Sequence, residues 1–200
     1  MSIIVEHEKR RKEILEKALD VFIDSGFENA TFQKIADRCG ITRTTLYLYF
    51  KNKKEIFNYS IKLMLAKVEE DILQIVSDGS LDYTEKITNI ILDIFKKLEE
   101  NRRLLSVLLD YLLHISKNNI DPEKRVRRRT LRLRRILASL VIAGIKSGEL
   151  KQVNIKVADD YLFSLLEAAI FRLVVLQRKT VGDLRKTAAF TIRRIIHPSR

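Results

Sequence analysis

Residues 31–55 have the sequence TFQKIADRCGITRTTLYLYFKNKKE, which contains two short helical patterns separated by a glycine turn. Thr31 is suited to cap the first helix, because its side-chain oxygen can accept an unpaired backbone N–H. Thr42 is suited in the same way to cap a second helix that extends to about Tyr49. Between them, Cys39–Ile41 forms the turn. Two short helices joined by such a turn predict a helix-turn-helix, whose second helix enters the major groove of DNA.

The second of these helices has one apolar side and several polar ones. Leu46 can pack inward with Phe50, whereas hydroxyl groups and one guanidinium occupy the other faces. Arg43 can bond guanine in a bidentate way, and hydroxyls can donate to phosphates. The alternative is a small helical subdomain with ordinary surface threonines and tyrosines. Five hydroxyls within eight positions favour DNA; they belong to Thr42, Thr44, Thr45, Tyr47 and Tyr49.

The charge distribution supports a DNA-binding surface only within one short stretch of the chain. The formal net charge of the chain is +12, but residues 1–60 hold 11 basic and 9 acidic residues. From Arg38 to Lys54 there are five basic residues and no acidic one. Lys53 falls in the first turn of a fourth helix, where its charge and the helix N-terminus would together attract a phosphate.

Residues 9–57 resemble the tetracycline-repressor (TetR) family, through the TFQKIA and CGIT motifs and the run TLYLYFKNKKE. Gly40, Tyr47, Phe50 and Lys53 stand where the pattern of that family has them. The resemblance implies that Arg43, together with Thr44, contacts bases. It also implies phosphate contacts from Thr31, Thr42, Thr44, Thr45, Tyr47, Tyr49 and Lys53. Tyr49 replaces a frequent histidine of the family, and Cys39 replaces a small buried alanine and is interpreted as a packing residue.

The rest of the chain has helical apolar spacing and few helix-breaking residues. A first helix is expected to stop at Gly26, and the fourth to begin at Asn52 and end near Ser77. Later helices are expected at 82–99, 102–117, 122–147, 157–178 and 180–196. The prediction is an all-α protein in which an N-terminal three-helix domain, residues 1–52, precedes a helical bundle for effector binding and dimerisation, residues 53–200.

The last two predicted helices carry an apolar face wider than one neighbouring helix requires, which favours a homodimer. The alternative is that both helices complete the core of a single chain. The residues expected at a dimer interface are Leu162, Leu165, Leu166, Ala169, Ile170, Leu184, Ala188 and Ile192.

The resemblance also implies a small-molecule effector bound among the helices after the fourth. Tyr111 and His114 are polar-tipped residues on a leucine-rich helix and are the candidate contacts, although a lone histidine there is more often a core residue. Eight basic residues lie within Lys124–Arg135. They form either a solvated helix face or a surface that attracts phosphate or an anionic effector.

Other classes of function have little support in the sequence. His7, His114 and His197 are scattered, the one cysteine excludes an internal disulfide, and no glycine-rich phosphate loop or zinc spacing is present. No catalytic site, metal or cofactor is therefore expected. No apolar run is long enough for a membrane span, and the N-terminus is too charged for a signal peptide, which indicates a cytoplasmic protein without membrane contact. A helical protein-interaction adaptor would explain the bundle but not the residues from Arg38 to Lys54.

Overall fold

The computed structural model describes residues 2–196, so His197 lies outside the described residues. Within that range the chain forms nine α-helices and one π-helical turn, without a strand, which confirms the prediction of an all-α fold. The helices are α1 (Ser2–Asn29), α2 (Phe32–Cys39), α3 (Arg43–Tyr49), α4 (Lys53–Ser77), α5 (Tyr83–Glu100), α6 (Arg102–Lys117), α7 (Pro122–Ser147), α8 (Ile155–Ile170) and α9 (Leu184–Ile196), and the π-helical turn is Phe171–Val175.

Glycine and capping residues set several helix ends where the sequence predicts them. Gly26 leaves helical geometry with φ 74° near the end of α1, and Phe27 then stacks on Phe22 with ring centroids 6.0 Å apart. A positive φ is accessible to glycine at little cost. The Asp121 side chain accepts the Lys124 N–H at the start of α7, directly before the proline. These local signals therefore predicted the breaks between helices correctly.

The C-terminal helices depart from the predicted ranges. The predicted helix 157–178 ends earlier, since α8 passes into the π-helical turn and Leu176 N–H donates to the Phe171 carbonyl at 3.1 Å. The last helix begins at Leu184 rather than near residue 180, because Gly182 adopts a φ of 59° just before it. Both differences arise from backbone geometry that apolar periodicity does not report.

Two compact units make up the chain. The first contains residues 2–67 together with Ser106–His114, and the second contains the remaining described residues, 68–105 and 115–196. The division falls within α4 and α6 and not at residue 52, so the functional boundary at residue 52 stays a prediction. In the described part of the chain, none of the helices is both long and apolar enough to cross a membrane.

In the second unit, α5 is the central helix and packs against α7, α8 and α9. Its inward side chains are fully buried, which removes apolar surface from water and stabilises the unit. Glu99 ties the segment before α9 to α5: its carboxylate accepts the Val181 N–H at 2.8 Å and the Arg185 guanidinium at 2.6 Å. These contacts fix the position from which α9 starts.

Candidate nucleic-acid interface

The segment α2–turn–α3 has the caps that the sequence predicts. The Thr31 hydroxyl oxygen accepts the Lys34 N–H at 3.2 Å, and that of Thr42 accepts the Thr45 N–H at 3.0 Å. Gly40 ends α2 in the left-handed region with φ 68°. Each cap satisfies a backbone donor that a helix start leaves unpaired, so the turn holds α3 at a fixed angle to α2.

Two apolar side chains anchor α3 to the core of the first unit. Leu46 is fully buried and Phe50 is 2% exposed. This burial determines which side of α3 faces outward, because the helix cannot rotate without exposing both side chains. The outward residues are Arg43, Thr44, Tyr47 and Leu48, with Thr45 and Tyr49 half-buried at the sides.

Arg43 and Tyr47 form one pair on the exposed surface. The Tyr47 ring stacks on Phe32 with centroids 4.6 Å apart, which fixes the ring against α2. The Arg43 guanidinium donates to the Tyr47 hydroxyl at 3.2 Å and lies 5.7 Å from the ring centroid. Both side chains are exposed and held at the start of α3, where a guanidinium and a hydroxyl can bond a base edge and a phosphate.

The threonines predicted to contact phosphate lie at or near the exposed starts of α2 and α3. Thr31 and Thr42 use their oxygens as helix caps, and the Thr42 and Thr45 hydroxyls bond each other at 2.8 Å. A capping hydroxyl that accepts from the backbone keeps its own hydrogen, but within the Thr42–Thr45 pair one hydroxyl donates to the other, so one of the two keeps its hydrogen for a phosphate. Thr44 is exposed on the outward side of α3. The arrangement supports their assignment as phosphate donors, which stays a prediction.

Tyr49 has a neighbour that the sequence does not suggest. Its ring stacks on the imidazole of His7 from α1, with centroids 4.6 Å apart and planes 19° from parallel. His7 is exposed and separated from Tyr49 by 42 positions in the chain, so no local pattern could pair them. His7 therefore supports the Tyr49 ring at the C-terminal end of α3.

Lys53 begins α4, as predicted, and its ammonium is already positioned by the protein. The Nζ atom donates to the Glu28 carbonyl at 2.7 Å and lies 4.8 Å from the Phe27 ring centroid. An ammonium has three donors, so this contact leaves capacity for a phosphate. The Asn52 side chain caps α4 by accepting the Glu55 N–H at 2.9 Å. The Glu55 carboxylate in turn accepts the backbone N–H of Lys51 and not that of Asn52.

The five basic residues between Arg38 and Lys54 are not equivalent. Arg38 donates to Asp24 at 2.8 Å and lies 3.9 Å from Asp20, so nearby acids balance its charge. Lys51 and Lys54 are exposed next to Lys53. The positive charge of the surface is therefore concentrated at Arg43 and around the start of α4.

Cys39 is a core residue of the first unit. The side chain is 4% exposed, and its Sγ atom lies 3.9 Å from the Ile14 carbonyl. Burial raises the pKa of the Cys39 thiol above its ordinary value, and the nearby cations Lys17, Arg10 and Arg38 offset this only in part. A protonated, buried thiol is a poor nucleophile, which agrees with its interpretation as a packing residue.

The two residues predicted to contact an effector have different surroundings. Tyr111 is 5% exposed, and its ring packs against Phe27 at 4.6 Å and Phe57 at 5.0 Å, so it completes an aromatic cluster in the first unit. His114 is exposed, with Nδ1 3.1 Å from a carboxylate oxygen of Glu28. The Tyr111 ring is packed in the core of the first unit, whereas the His114 side chain faces solvent beside the Glu28 carboxylate. These contacts do not test an effector role for either residue, which stays a prediction.

Most of the residues predicted at a dimer interface are buried within the single chain. Seven of the eight lie in the core of the single chain, with exposures of 7% or less: Leu162, Leu165, Leu166, Ala169, Leu184, Ala188 and Ile192. Ile170 is half-buried. With so little surface exposed, these side chains pack mainly within one chain, which favours the alternative that both helices complete its core.

A different row of side chains on the same segment is exposed at four of its six positions. Positions four and three residues apart lie on one face of a helix, and here they are Val157, Tyr161, Ser164, Ala168, Phe171 and Val175. Val157 is 66%, Phe171 53% and Val175 52% exposed. Leu176, next along the chain, is 48% exposed, and Phe190 on α9 is 62% exposed. We refer to Val157, Phe171, Val175, Leu176 and Phe190 as the C-terminal apolar surface.

The basic cluster Lys124–Arg135 contains both paired and exposed cations; the side chains of Arg125 and Arg129 lie outside the described residues. Arg132 pairs with Glu69, and Arg134 pairs with Asp159 and Asp160 while lying 3.9 Å from the Phe163 ring centroid. These two arginines connect helices of the second unit. Lys124, Arg127, Arg128 and Arg135 are exposed, as is the paired Arg132.

Comparisons with known proteins agree with this geometry. Residues 14–59, which contain α2, α3 and the start of α4, match the family described as bacterial regulatory proteins, tetR family. The chain is 26% identical over 179 residues to the fatty acid metabolism regulator protein of Bacillus subtilis, covering 86% of this chain and 88% of that protein. It is 30% identical over 152 residues to the uncharacterised HTH-type transcriptional regulator YfiR of the same organism, covering 74% and 71%.

A solved structure resembles the whole fold. The transcriptional regulator FadR of Bacillus subtilis, in complex with stearoyl-CoA, superposes with a TM-score of 0.68 at 24% identity, covering 90% of this chain and 96% of that one. The match thus extends well beyond the helix-turn-helix to the helices of the second unit. Together, the capped helix-turn-helix, the family match and the full-length relatives show that this chain is a DNA-binding transcriptional regulator of the tetR family.

Proposed function

We propose that the protein is a ligand-responsive repressor that binds a palindromic operator as a homodimer and leaves it when a small-molecule effector binds. The observation that supports DNA binding is the surface of α3. Two buried side chains, Leu46 and Phe50, fix the orientation of the helix, and its outward side presents a guanidinium and hydroxyls. Binding, without catalytic turnover, is the proposed activity. For access to the chromosome we propose a cytoplasmic location.

For the contacts we propose that Arg43 bonds a base edge, with Thr44 beside it. Phosphates would be bound by Thr31, Thr42, Thr45, Tyr47, Tyr49 and Lys53. The support is geometric, because all these side chains belong to α3 or to the helix starts around it. Phosphate contacts hold the protein in register, whereas base contacts select the sequence. Removing a phosphate contact and removing a base contact should therefore have different effects on DNA binding.

For assembly we propose a two-fold symmetric dimer formed by the C-terminal apolar surface. Large apolar side chains exposed on one segment, here Val157, Phe171 and Val175 on α8 and the π-helical turn, are costly in water and are typical of an interface. A two-fold interface presents the same patch on both copies, so a single row is sufficient to pair with itself. Two helix-turn-helix units in one dimer would then contact two half-sites of a palindrome.

For the effector we propose a fatty acyl-CoA, which combines a long apolar chain with an anionic head group. One relative is named as a regulator of fatty acid metabolism, and one similar structure holds stearoyl-CoA. The basic cluster fits this chemistry, since Lys124, Arg127, Arg128 and Arg135 are exposed cations that can attract phosphate groups. We propose the helices after α4 as the region that binds it.

The DNA assignment is tested with alanine variants of Arg43 and Lys53. An operator duplex is first selected from random DNA by the wild-type protein. On that duplex Arg43→Ala should lose about 1–3 kcal/mol and accept other bases at one position. Lys53→Ala should weaken binding to all duplexes alike and lower the salt slope by about one unit. Fluorescence anisotropy at several salt concentrations, on operator and scrambled duplexes, measures both effects.

The matched control is Lys62→Ala, which removes an exposed lysine of α4 two turns after the proposed interface. It should bind both duplexes like the wild type. If Arg43→Ala and Lys53→Ala lose the same affinity on operator and on scrambled DNA, the assignment of a base contact to Arg43 is wrong. If neither variant changes binding, α3 is not the DNA-binding element, and the adaptor alternative is favoured.

A further inference from the structure

Leu48 is 75% exposed, more than any other large hydrophobic residue that the structure describes as exposed. A single exposed leucine needs no special explanation on an ordinary surface. This one lies on α3, among residues that are otherwise polar or buried. Its position on that helix therefore decides whether the exposure has a function.

The orientation of α3 places Leu48 at the centre of the outward face. Leu46 is fully buried and marks the inward direction. Residues two before and two after it are turned by about 200° in opposite senses, so Thr44 and Leu48 both project away from the core. At about 40° apart, they form one outward ridge.

The neighbouring side chains of α3 are held at the sides of this ridge. Arg43 is bonded to Tyr47, and the Tyr47 ring lies against Phe32 of α2. On the other side, the Thr45 hydroxyl bonds Thr42, and Tyr49 stacks on His7. Thr44 and Leu48 are thus the side chains that α3 directs most squarely outward, and Leu48 is the longer of the two and the apolar one.

Leucine carries neither a hydrogen-bond donor nor an acceptor. Among the base edges in the major groove, the 5-methyl group of thymine is the apolar partner available to it. Guanine O6 or the cytosine amino group, covered by leucine, would lose water without gaining a hydrogen bond. An apolar protein surface is a poor alternative partner, because hydroxyls and a guanidinium surround Leu48.

We propose that Leu48 contacts the methyl group of a thymine in each half-site and makes the protein specific for a T·A pair there. The proposal rests on the proposed function, since it requires α3 to lie in the major groove. It adds a base contact of different chemistry from that of Arg43 and identifies a feature of the operator. Burying one methyl group corresponds to about a fourfold gain in affinity for each half-site.

The test replaces thymine by deoxyuridine, which removes the methyl group and keeps every hydrogen-bonding atom. Each thymine of the operator selected by the wild-type protein is replaced singly, and affinity is measured by anisotropy at one salt concentration. At one position in each half-site, the wild type should bind the uracil duplex about fourfold more weakly, or about fifteenfold when both half-sites are changed. Leu48→Ala should bind the thymine and uracil duplexes equally.

A second variant separates Leu48 from its neighbour on the ridge. Thr44→Ser removes the other exposed methyl group of α3 and keeps its hydroxyl, so it should retain the uracil sensitivity at the Leu48 position. The inference is wrong if the wild type tolerates uracil everywhere, or if Leu48→Ala stays as sensitive as the wild type. Selection that enriches no sequence would contradict the proposed function itself, and the inference with it. A defined operator without methyl sensitivity contradicts the inference alone.

Discussion

Replacing Phe171 by glutamate is expected to convert the proposed dimer to a monomer and to lower operator affinity at least about a hundredfold. Phe171 is 53% exposed in the single chain and lies in the middle of the exposed row on α8 and the π-helical turn. In a two-fold interface the substitution occurs twice, and each carboxylate would be buried without a partner. Such a charge costs several kcal/mol, more than the apolar contact it replaces.

Light scattering at micromolar protein concentration measures the first effect, and anisotropy on the selected operator measures the second. Leu73→Glu is the matched control: Leu73 is 43% exposed on α4, away from the C-terminal apolar surface in sequence. It should leave mass and DNA affinity unchanged. A wild-type protein that is monomeric under these conditions contradicts the dimer. A Phe171→Glu variant that stays dimeric shows that the interface lies elsewhere.

Stearoyl-CoA is expected to weaken operator binding by about a hundredfold at saturation, which corresponds to a differential affinity of about 3 kcal/mol. The ligand need only prefer a conformation in which the two recognition helices no longer match the half-site spacing. By reciprocity, operator DNA must weaken stearoyl-CoA binding by the same factor. Titration of the ligand into free protein and into the operator complex measures both sides of this coupling.

Free CoA and stearate are the controls, since each carries one half of the ligand. If both halves contribute, each alone should bind more weakly and release less DNA. Reversing the charge of Arg128 and Arg135, both exposed in the basic cluster, should lower the affinity for stearoyl-CoA and spare that for stearate. Equal affinity for free and DNA-bound protein would show that acyl-CoA is not the effector that controls DNA binding.

The sequence was most informative where a structural feature depends on neighbouring residues. Thr31 and Thr42 cap α2 and α3 as predicted, and Gly40 takes the positive φ of the turn. Pro122 and its preceding aspartate begin α7. Each of these features is determined within about four residues, because capping satisfies donors in the first turn of a helix. Local sequence therefore identifies the helix-turn-helix and most helix ends.

Features that depend on distant contacts were predicted less well. The sequence predicts Tyr111 as an effector contact because its polar tip lies on a leucine-rich helix. In the structure its ring packs against Phe27 and Phe57 in the first unit. Both phenylalanines lie more than fifty positions earlier in the chain. Likewise, Arg38 contributes to the positive charge in the sequence, whereas in the structure it pairs with Asp24. Spacing along one helix contains no information about such partners.

The surface proposed for the dimer shows a related limit of prediction from sequence. The segment from Val157 to Val175 has apolar residues on two faces, and the sequence could not tell which face the chain covers itself. Leu162 and Leu166 are on the covered face, whereas Val157 and Phe171 are on the open one. Periodicity identifies a stripe but not its partner. Leu48 is a separate case: the sequence predicts that Leu46 faces inward, and the structure shows that Leu48 is exposed on the opposite side of α3.

We expect α3 to give the protein sequence-specific DNA binding. The most direct test is the ratio of affinities for the selected operator and a scrambled duplex of the same length and composition, at one physiological salt concentration. For a specific regulator this ratio should be at least about a thousand, and Arg43→Ala should reduce it. A ratio close to one for the wild-type protein would contradict the account.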